Sequence, residues 1–305
     1  MSEDRGRLRW NVQRRLIFIE LRLYWEGRIN RGDLVDYFDI SVPQASQDLA
    51  RYEEIAPGNL HYDKTLKTYV AGPNFRPVLT EPTADGYLAQ LRALGTGGLG
   101  PGESWLGRAP DFAGAPRLRR HYEPEVLRRL LRCIQDRLEL KVRYLSFSAD
   151  EASARTIAPH ALGFDGQRWH VRAFCFRTMS FRDFVIGRLS HLGDAVPTSA
   201  QAAWDLEWTE KVEMRLIANP RLQPAMRSAV ERDVGMRQGV LPVTTTVCSS
   251  YYLESQLNLD LDPELLPAKR LQLVLHNRDE VAARRSEVKA AAEKVIRAAG
   301  PQPAT

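Results

Sequence analysis

The sequence predicts an α+β protein of more than one domain, and three observations carry that expectation. Residues 8–55 show apolar residues at helical spacing, residues 139–189 switch to a strand pattern, and the remainder alternates between the two. At 305 residues the chain has room for two or three domains. Hydrophobic residues make up 44% and charged residues 27%, enough for each domain to bury a core. No run approaches roughly 18 apolar residues, so no transmembrane helix is expected. The polar, Arg-rich stretch from Met1 to Trp10 lacks the apolar segment of a signal peptide. Cys133, Cys175 and Cys248 lie far apart with no CxxC, which fits reduced thiols in a cytoplasm rather than disulfides or a zinc finger.

Val12, Leu16, Ile19 and Leu23 predict a helix over 8–27, with Gly27 as its stop. Asn30 caps a short second helix carrying Leu34, Val35 and Phe38. Phe38-Asp39-Ile40-Ser41 is a tight turn, and a third helix runs from Val42 to about Ile55, ended by Pro57-Gly58. Residues 60–70 read as a hairpin around Asp63-Lys64-Thr65. Residues 75–94 read as a connecting helix, and the Gly- and Pro-rich stretch 95–116 as linker or mobile loop. A basic amphipathic helix is expected over 124–138. Strands follow at 140–147, 167–176 and 181–189. Beyond them come a strand (212–217), helices (222–234, 251–257), a strand (271–276) and a last helix (281–299).

Three helices, a four-residue turn before the third, and a hairpin form the layout of a winged helix-turn-helix. Ser41-Val42-Pro43-Gln44 fits a capping box, with Ser41 as N-cap and Gln44 at the third helical position. Val42, Ala45, Leu49 and Tyr52 are expected to face inward. The opposite face carries Gln44, Ser46, Gln47 and Arg51, side chains able to read base edges. Net charge is +5, and residues 5–31 hold eight Arg against two Glu. Arg5, Arg7, Arg9, Arg14 and Arg15, with Lys64 and Lys67 on the hairpin, are candidates for phosphate contact. A structural bundle whose polar face meets only water is the alternative.

Residues 155–188 hold six Arg and two His against two Asp. Strand alternation puts Trp169, Val171, Ala173 and Cys175 on one face, read as core, and Arg168, His170, Arg172, Phe174 and Phe176 on the other. Val142, Tyr144 and Ser146 share a face, as do Arg182, Phe184, Ile186 and Arg188. A face gathering Tyr, Ser, His and several Arg is expensive to bury without an anionic partner. Arg forks suit phosphate and rings suit base stacking. An ordinary solvent-facing strand is the other reading.

The segments LKVRYLSFS (140–148), RTIAPHALGFDGQRWHVRAF (155–174) and FRDFVIGRL (181–189) resemble the WYL-domain transcriptional regulators. The likeness is to the subgroup that represses phage-defence operons, the BrxR/CapW type. FDISVPQASQDLARY (38–52) resembles that subgroup's recognition helix. The resemblance implies a winged helix-turn-helix, an Sm-like β-barrel WYL domain, a small α+β C-terminal extension domain and a homodimer. Its Trp-Tyr-Leu tripeptide is here Trp169-His170-Val171. It also implies ligand-pocket positions at Tyr144, Ser146, His160, His170, Arg172, Arg182 and Arg188, with Arg155 a weaker candidate.

Gly95-Thr96-Gly97-Gly98-Leu99-Gly100 matches GxGxxG, but a helix precedes it and Pro101-Gly102 follows, the reverse of a dinucleotide site. No GxSxG, HExxH or Walker motif is present, and nothing in the spacing of His160, His170 and Cys175 demands a metal. No cofactor and no enzymatic activity are expected. The expected domains are 1–72 (winged helix-turn-helix), 73–122 (connector), 123–205 (WYL) and 206–305 (C-terminal extension). The expected function is a dimeric repressor of a phage-defence operon that binds an inverted-repeat DNA operator and responds to a nucleotide or oligonucleotide. An accessory nucleic-acid-binding protein and an enzyme acting on nucleotides are the alternatives.

Overall fold

The computed structural model describes residues 10–115, 118, 120–147 and 150–301; Arg5, Arg7 and Arg9 lie outside the described residues. The chain divides into two compact units, Met1–Leu118 and Arg119–Thr305. Among the described residues no helix is long and apolar enough to cross a membrane.

The first unit runs α1 (Trp10–Glu26), β1 (Arg28–Ile29), α2 (Arg31–Phe38), α3 (Val42–Ile55), β2 (Leu60–Asp63), β3 (Thr68–Ala71) and α4 (Ala84–Gly95). The strands form an antiparallel sheet of order β1-β3-β2. Leu16, Ile19 and Leu23 of α1 meet Leu34 of α2 and Ala45, Leu49 and Tyr52 of α3 in one core. Gly27 (φ +70) follows α1, and Asp39 in the left-handed region (φ +52) closes α2, so the chain reverses sharply before α3. At the hairpin tip the Asp63 carboxylate accepts from the backbone N–H groups of Thr65 and Leu66, at 2.8 and 2.9 Å.

Three expectations are corrected here. Val42 is 55% exposed and lies off the inward stripe of α3; the buried face of the helix includes Asp48 instead, paired with Arg15. The connecting helix starts at Ala84, not 75. Pro77 and Pro82 disfavour helix before them, and the amides of Val78, Leu79 and Thr80 donate to Glu20 instead of to helical carbonyls. The stretch read as linker folds back on its own unit. Leu106 is buried, Trp105 packs on the helical core, and Gly107 N–H donates to Glu26 Oε1 at 2.7 Å.

Glu20 is fully buried in the middle of α1. It accepts from Val78 N (2.8 Å), Leu79 N (2.9 Å), Thr80 N (2.8 Å) and Tyr52 Oη (3.1 Å). Tyr52 in turn accepts from Asn59 Nδ2 at 3.1 Å, and burial pushes its phenol pKa well up. One carboxylate thus joins α1, α3 and an irregular segment.

The second unit starts with α5 (Pro124–Asp136) and the strands β4 (Leu138–Tyr144), β5 (Ser153–Phe164), β6 (Trp169–Cys175), β7 (Ser180–Val185), β8 (Leu189–Ser190) and β9 (Ala195–Pro197). The order is β7-β6-β5-β4-β8, with β9 also on β4. The expected Sm-like barrel is therefore corrected to an open sheet. Its two edge strands, β7 and β8, are joined by the 3-10 turn Ile186–Arg188, and among the described residues no ladder between them closes the sheet. The chain continues through α6 (Leu206–Thr209), β10 (Lys211–Ala218), α7 (Pro224–Asp233), β11 (Leu241–Thr246), α8 (Val247–Leu257), β12 (Leu273–Leu275) and α9 (Arg278–Ala299), with sheet order β11-β10-β12.

Both faces of the larger sheet are covered. One face packs on Leu130 and Cys133 of α5 through Leu140, Val142, Tyr144, Val171, Ala173, Cys175 and Phe184. The other gathers Phe174, Phe176 and Phe181 against Trp204 and Ile296. Leu216, Leu222, Leu271 and Leu275 are buried within the C-terminal part.

Glu20→Ala is expected to destabilise the first unit by about 2–4 kcal/mol, because three part-buried amides and Tyr52 lose their charged acceptor. Chemical denaturation checks this against Val78→Ala, whose side chain is largely exposed. Equal losses in the two variants would refute the anchoring role.

Candidate functional site

Helix α3 is organised for presentation at its N-terminal half. Ser41 Oγ accepts from Gln44 N at 3.3 Å, with Pro43 in the first turn. The return half of the expected capping box does not form; Gln44 Nε2 donates to Asp48 Oδ1 at 3.2 Å. Asp48 also takes Arg15 Nε at 2.6 Å and Nη2 at 3.2 Å, so Arg15 is tied to α3 with Nη1 left over. Ser46 Oγ donates to Val42 O at 3.0 Å. Gln47 and Arg51 are exposed and have no polar partner among the described residues, as is true of Lys64 and Lys67 on the hairpin turn. Arg14 stacks over Trp10.

The sensor candidates fall on two faces rather than one. In β6, Arg172 lies opposite Asp183 of β7, and Val171 opposite Phe184. Tyr144 is on the core side with Phe184, ring centroids 4.9 Å apart, away from Arg172. Arg182, opposite Ala173, is exposed and donates from Nε to Thr178 Oγ1 at 3.1 Å. Arg188 sits in the turn after β7, its guanidinium 3.7 Å from the Phe147 ring centre. Ser146 is half-buried past the end of β4. Arg155 is half-buried on β5.

The other face holds His160, His170 and Arg172. The register of β5 on β6 shifts between Pro159 and Ala161, so His160 stands at a bulge that re-aims its ring. Its Nε2 lies 2.8 Å from Asp205 Oδ2, and Arg172 Nε donates to that same oxygen at 2.8 Å. Arg172 Nη2 reaches Asp205 Oδ1 and Glu207 Oε2, both at 2.9 Å, and Nη1 reaches Asp183 at 3.3 Å. Burial works against the Arg172 charge, but the Asp205 hydrogen bonds and the charges of Asp183, Asp205 and Glu207 outweigh it and raise its pKa. Burial likewise opposes ionisation of Asp205, yet Arg172 and His160 hold its pKa below the usual carboxylate range. The anion that this face requires is supplied by the chain itself.

His170 stacks on Tyr252 of α8, centroids 5.3 Å apart and planes 17° from parallel. Burial holds its imidazole below the ordinary pKa, against the pull of Asp165 and Asp183. Asp205, Glu207 and Tyr252 were not among the sequence candidates. An acidic pair just beyond the arginine-rich strands was the available signal for the first two; Tyr252 left none.

Arg172→Ala is expected to cost about 3–5 kcal/mol of stability, since it strands the buried Asp205 carboxylate. The contribution of Asp205, whose pKa is depressed on folding, is fully present above the unfolded value of about 3.9 and is lost as pH falls through the folded one. Asp205→Asn should therefore flatten the acid limb of the stability–pH curve; an acid limb identical to the parent's would contradict the pairing.

The geometry of both units can be set beside known proteins. The model of the BrxR transcriptional regulator winged helix-turn-helix domain matches residues 11–93. The WYL domain matches 125–193, and the BrxR transcriptional regulator C-terminal dimerization domain matches 211–281. The DNA-binding transcriptional repressor CapW of Stenotrophomonas maltophilia is 40% identical over 284 residues, covering 92% of this chain and 94% of that protein. The CapW repressor of Escherichia coli (strain KTE188) is 38% identical over 282 residues, and that of Pseudomonas aeruginosa 37% over 280, each with 92% and 94% coverage. With these three domains in order and this identity over nearly its whole length, the chain belongs to the CapW family of WYL-domain repressors.

Proposed function

We propose that the protein is a homodimeric, sequence-specific DNA-binding repressor that controls a phage-defence operon and responds to a nucleotide or nucleic-acid effector. The observation that carries this reading is the free polar edge of α3. Gln47 and Arg51 project beside a capped helix start, with Lys64 and Lys67 nearby in sequence on a hairpin turn. In this reading Gln47 and Arg51 read bases, while Ser41, Gln44 and Ser46 line the same edge. Arg15, Lys64 and Lys67 neutralise phosphates, Arg15 through the Nη1 that Asp48 does not engage. The proposed domains are 1–72 for DNA, 73–122 as connector, 123–205 for the effector and 206–305 for dimerisation. The match of residues 211–281 to a dimerization domain supports the last.

Within the effector domain, Arg182 and Arg188 are the proposed ligand contacts from the resemblance set, with Ser146 beside Phe147, the ring on which Arg188 stacks. Tyr144, His160, His170 and Arg172 act by positioning, since core packing or ion pairs already engage them. A ligand alters DNA binding only to the extent that it favours one of two dimer geometries over the other.

The test is a footprint on DNA selected from the source genome. An inverted repeat is expected, with half-sites about 34–36 Å apart or a multiple of that, bound by a protein of dimer mass in light scattering. Arg51→Ala or Gln47→Ala should weaken operator binding by about 1–3 kcal/mol and relax sequence preference. Lys64→Ala should weaken binding to all sequences alike and lower its salt dependence. A monomer on an unrepeated site, or an Arg51→Ala variant with parental affinity, would sink the reading.

A further inference from the structure

A cleft of about 630 Å³ opens in the second unit between the end of α5, the bulge of β5 and the segment 198–203. Its size falls within the ~300–1,000 Å³ of pockets that take small molecules. Neither Arg182 nor Arg188 lines it. Ile134, Ala158, Pro159 and Phe181 give it an apolar wall, and Ala200, Ala202 and Ala203 add methyl groups from the segment. Arg137 lines the cleft and is exposed, and its guanidinium has no hydrogen bond or ion pair among the described residues. The acids beside it in the chain are engaged elsewhere. Asp136 lies 3.5 Å from Arg132, and the buried Glu139 accepts from Thr198 Oγ1 at 2.7 Å.

Two features fix this guanidinium at the cleft. Arg137 ends α5 in the left-handed region, with φ +54 and ψ +59. That position favours glycine, so an arginine there is strained, and strain of this kind collects at binding sites. The rim is also built without a ligand. Thr198 N donates to Arg137 O at 3.3 Å, and Ala200 N donates to Thr198 Oγ1 at 3.1 Å, which pins the segment to the end of α5. His160 lines the cleft with its Nε2 already on Asp205. A cation beside an apolar wall matches one anionic group on an apolar body. Phe181 is only 8% exposed, so the wall offers little ring face for a base to stack on. The methyl-lined walls suit an aliphatic body instead.

We propose that this cleft binds a small organic acid, its carboxylate on the Arg137 guanidinium and its aliphatic body against Ile134, Ala158 and Phe181. The ligand is a metabolite-sized anion, distinct in class and place from the nucleic-acid effector, and the inference does not rest on the effector reading. Because the segment 198–203 leads directly to Asp205, an occupied cleft holds the C-terminal part more firmly to the sheet.

The test uses the full chain, titration calorimetry and thermal melting, with octanoate as the probe and octanol and octylamine as controls with the same body. Octanoate should bind about tenfold more tightly than octanol, the contribution of a charge-assisted hydrogen bond, and octylamine should bind weakest. Octanoate should also raise the melting temperature. Arg137→Gly should bind octanoate no better than octanol, yet melt at or above the parental temperature, because glycine relieves the left-handed strain. Arg137→Lys should keep the preference for the anion with weaker binding. Ala202→Phe, which puts a ring into the cleft from an exposed position, should weaken octanoate and octanol alike. A single-stranded oligonucleotide should not displace octanoate. Equal affinity of the parent for octanoate and octanol overturns the proposal, as does octanoate affinity unchanged in both Arg137→Gly and Ala202→Phe. So does the absence of heat and of a melting shift with octanoate at millimolar concentration. Displacement by the oligonucleotide also overturns it, since the cleft would then belong to the effector's path.

Discussion

The second unit is organised around the carboxylate of Asp205. It is 1% exposed and stands between a guanidinium and an imidazole that come from different strands of the sheet. Arg172 enters the interior only because Asp205, Glu207 and Asp183 surround it, and His160 reaches the same oxygen only because β5 bulges there. Remove the carboxylate and a buried guanidinium loses its closest acceptor, the kind of loss for which breaking a buried pair is strongly destabilising. The segment that carries it leads directly into α6 and β10. The sheet and the C-terminal part are thus joined by charge as well as by the packing of Phe174 and Phe181 with Trp204 and Ile296.

That join changes what each face of the sheet can do. A strand whose alternate residues are His170, Arg172, Phe174 and Phe176 reads as half-polar, yet all four are buried. The polar pair is matched by the acidic segment and by Tyr252, and the aromatic pair by Trp204 and Ile296.

Much of this was legible in the sequence, and the failures share a cause. The first three helices, the turn at Asp39 and the hairpin follow from local spacing and turn chemistry, and the structure has them within a few residues. Val42 was misplaced because helical spacing puts it on the apolar stripe, whereas the structure leaves it exposed in the first turn and buries Asp48 through its pair with Arg15, thirty-three residues away. The helix expected from residue 75 fails because Glu20 captures the amides of 78–80. Tyr144 was put with Arg172 because alternation fixes which residues of one strand share a face, and says nothing of which faces of two strands coincide. In each case the deciding partner is distant in sequence, and periodicity has no access to it. The sequence argument that the Arg172 face needs an anion was sound; the anion was sought outside the chain when it lay at Asp205.

Glu20 and Asp205 solve one problem twice. Each unit has a junction that must be fixed: residues 78–80, outside any helix or strand, in one, and Asp205, between the 3-10 turn Ala202–Trp204 and α6, in the other. In each a single buried carboxylate spans the gap, taking backbone amides in the first case and side-chain cations in the second. His170, at the centre of the tripeptide that marks this kind of domain, belongs to the same join through its stack on Tyr252.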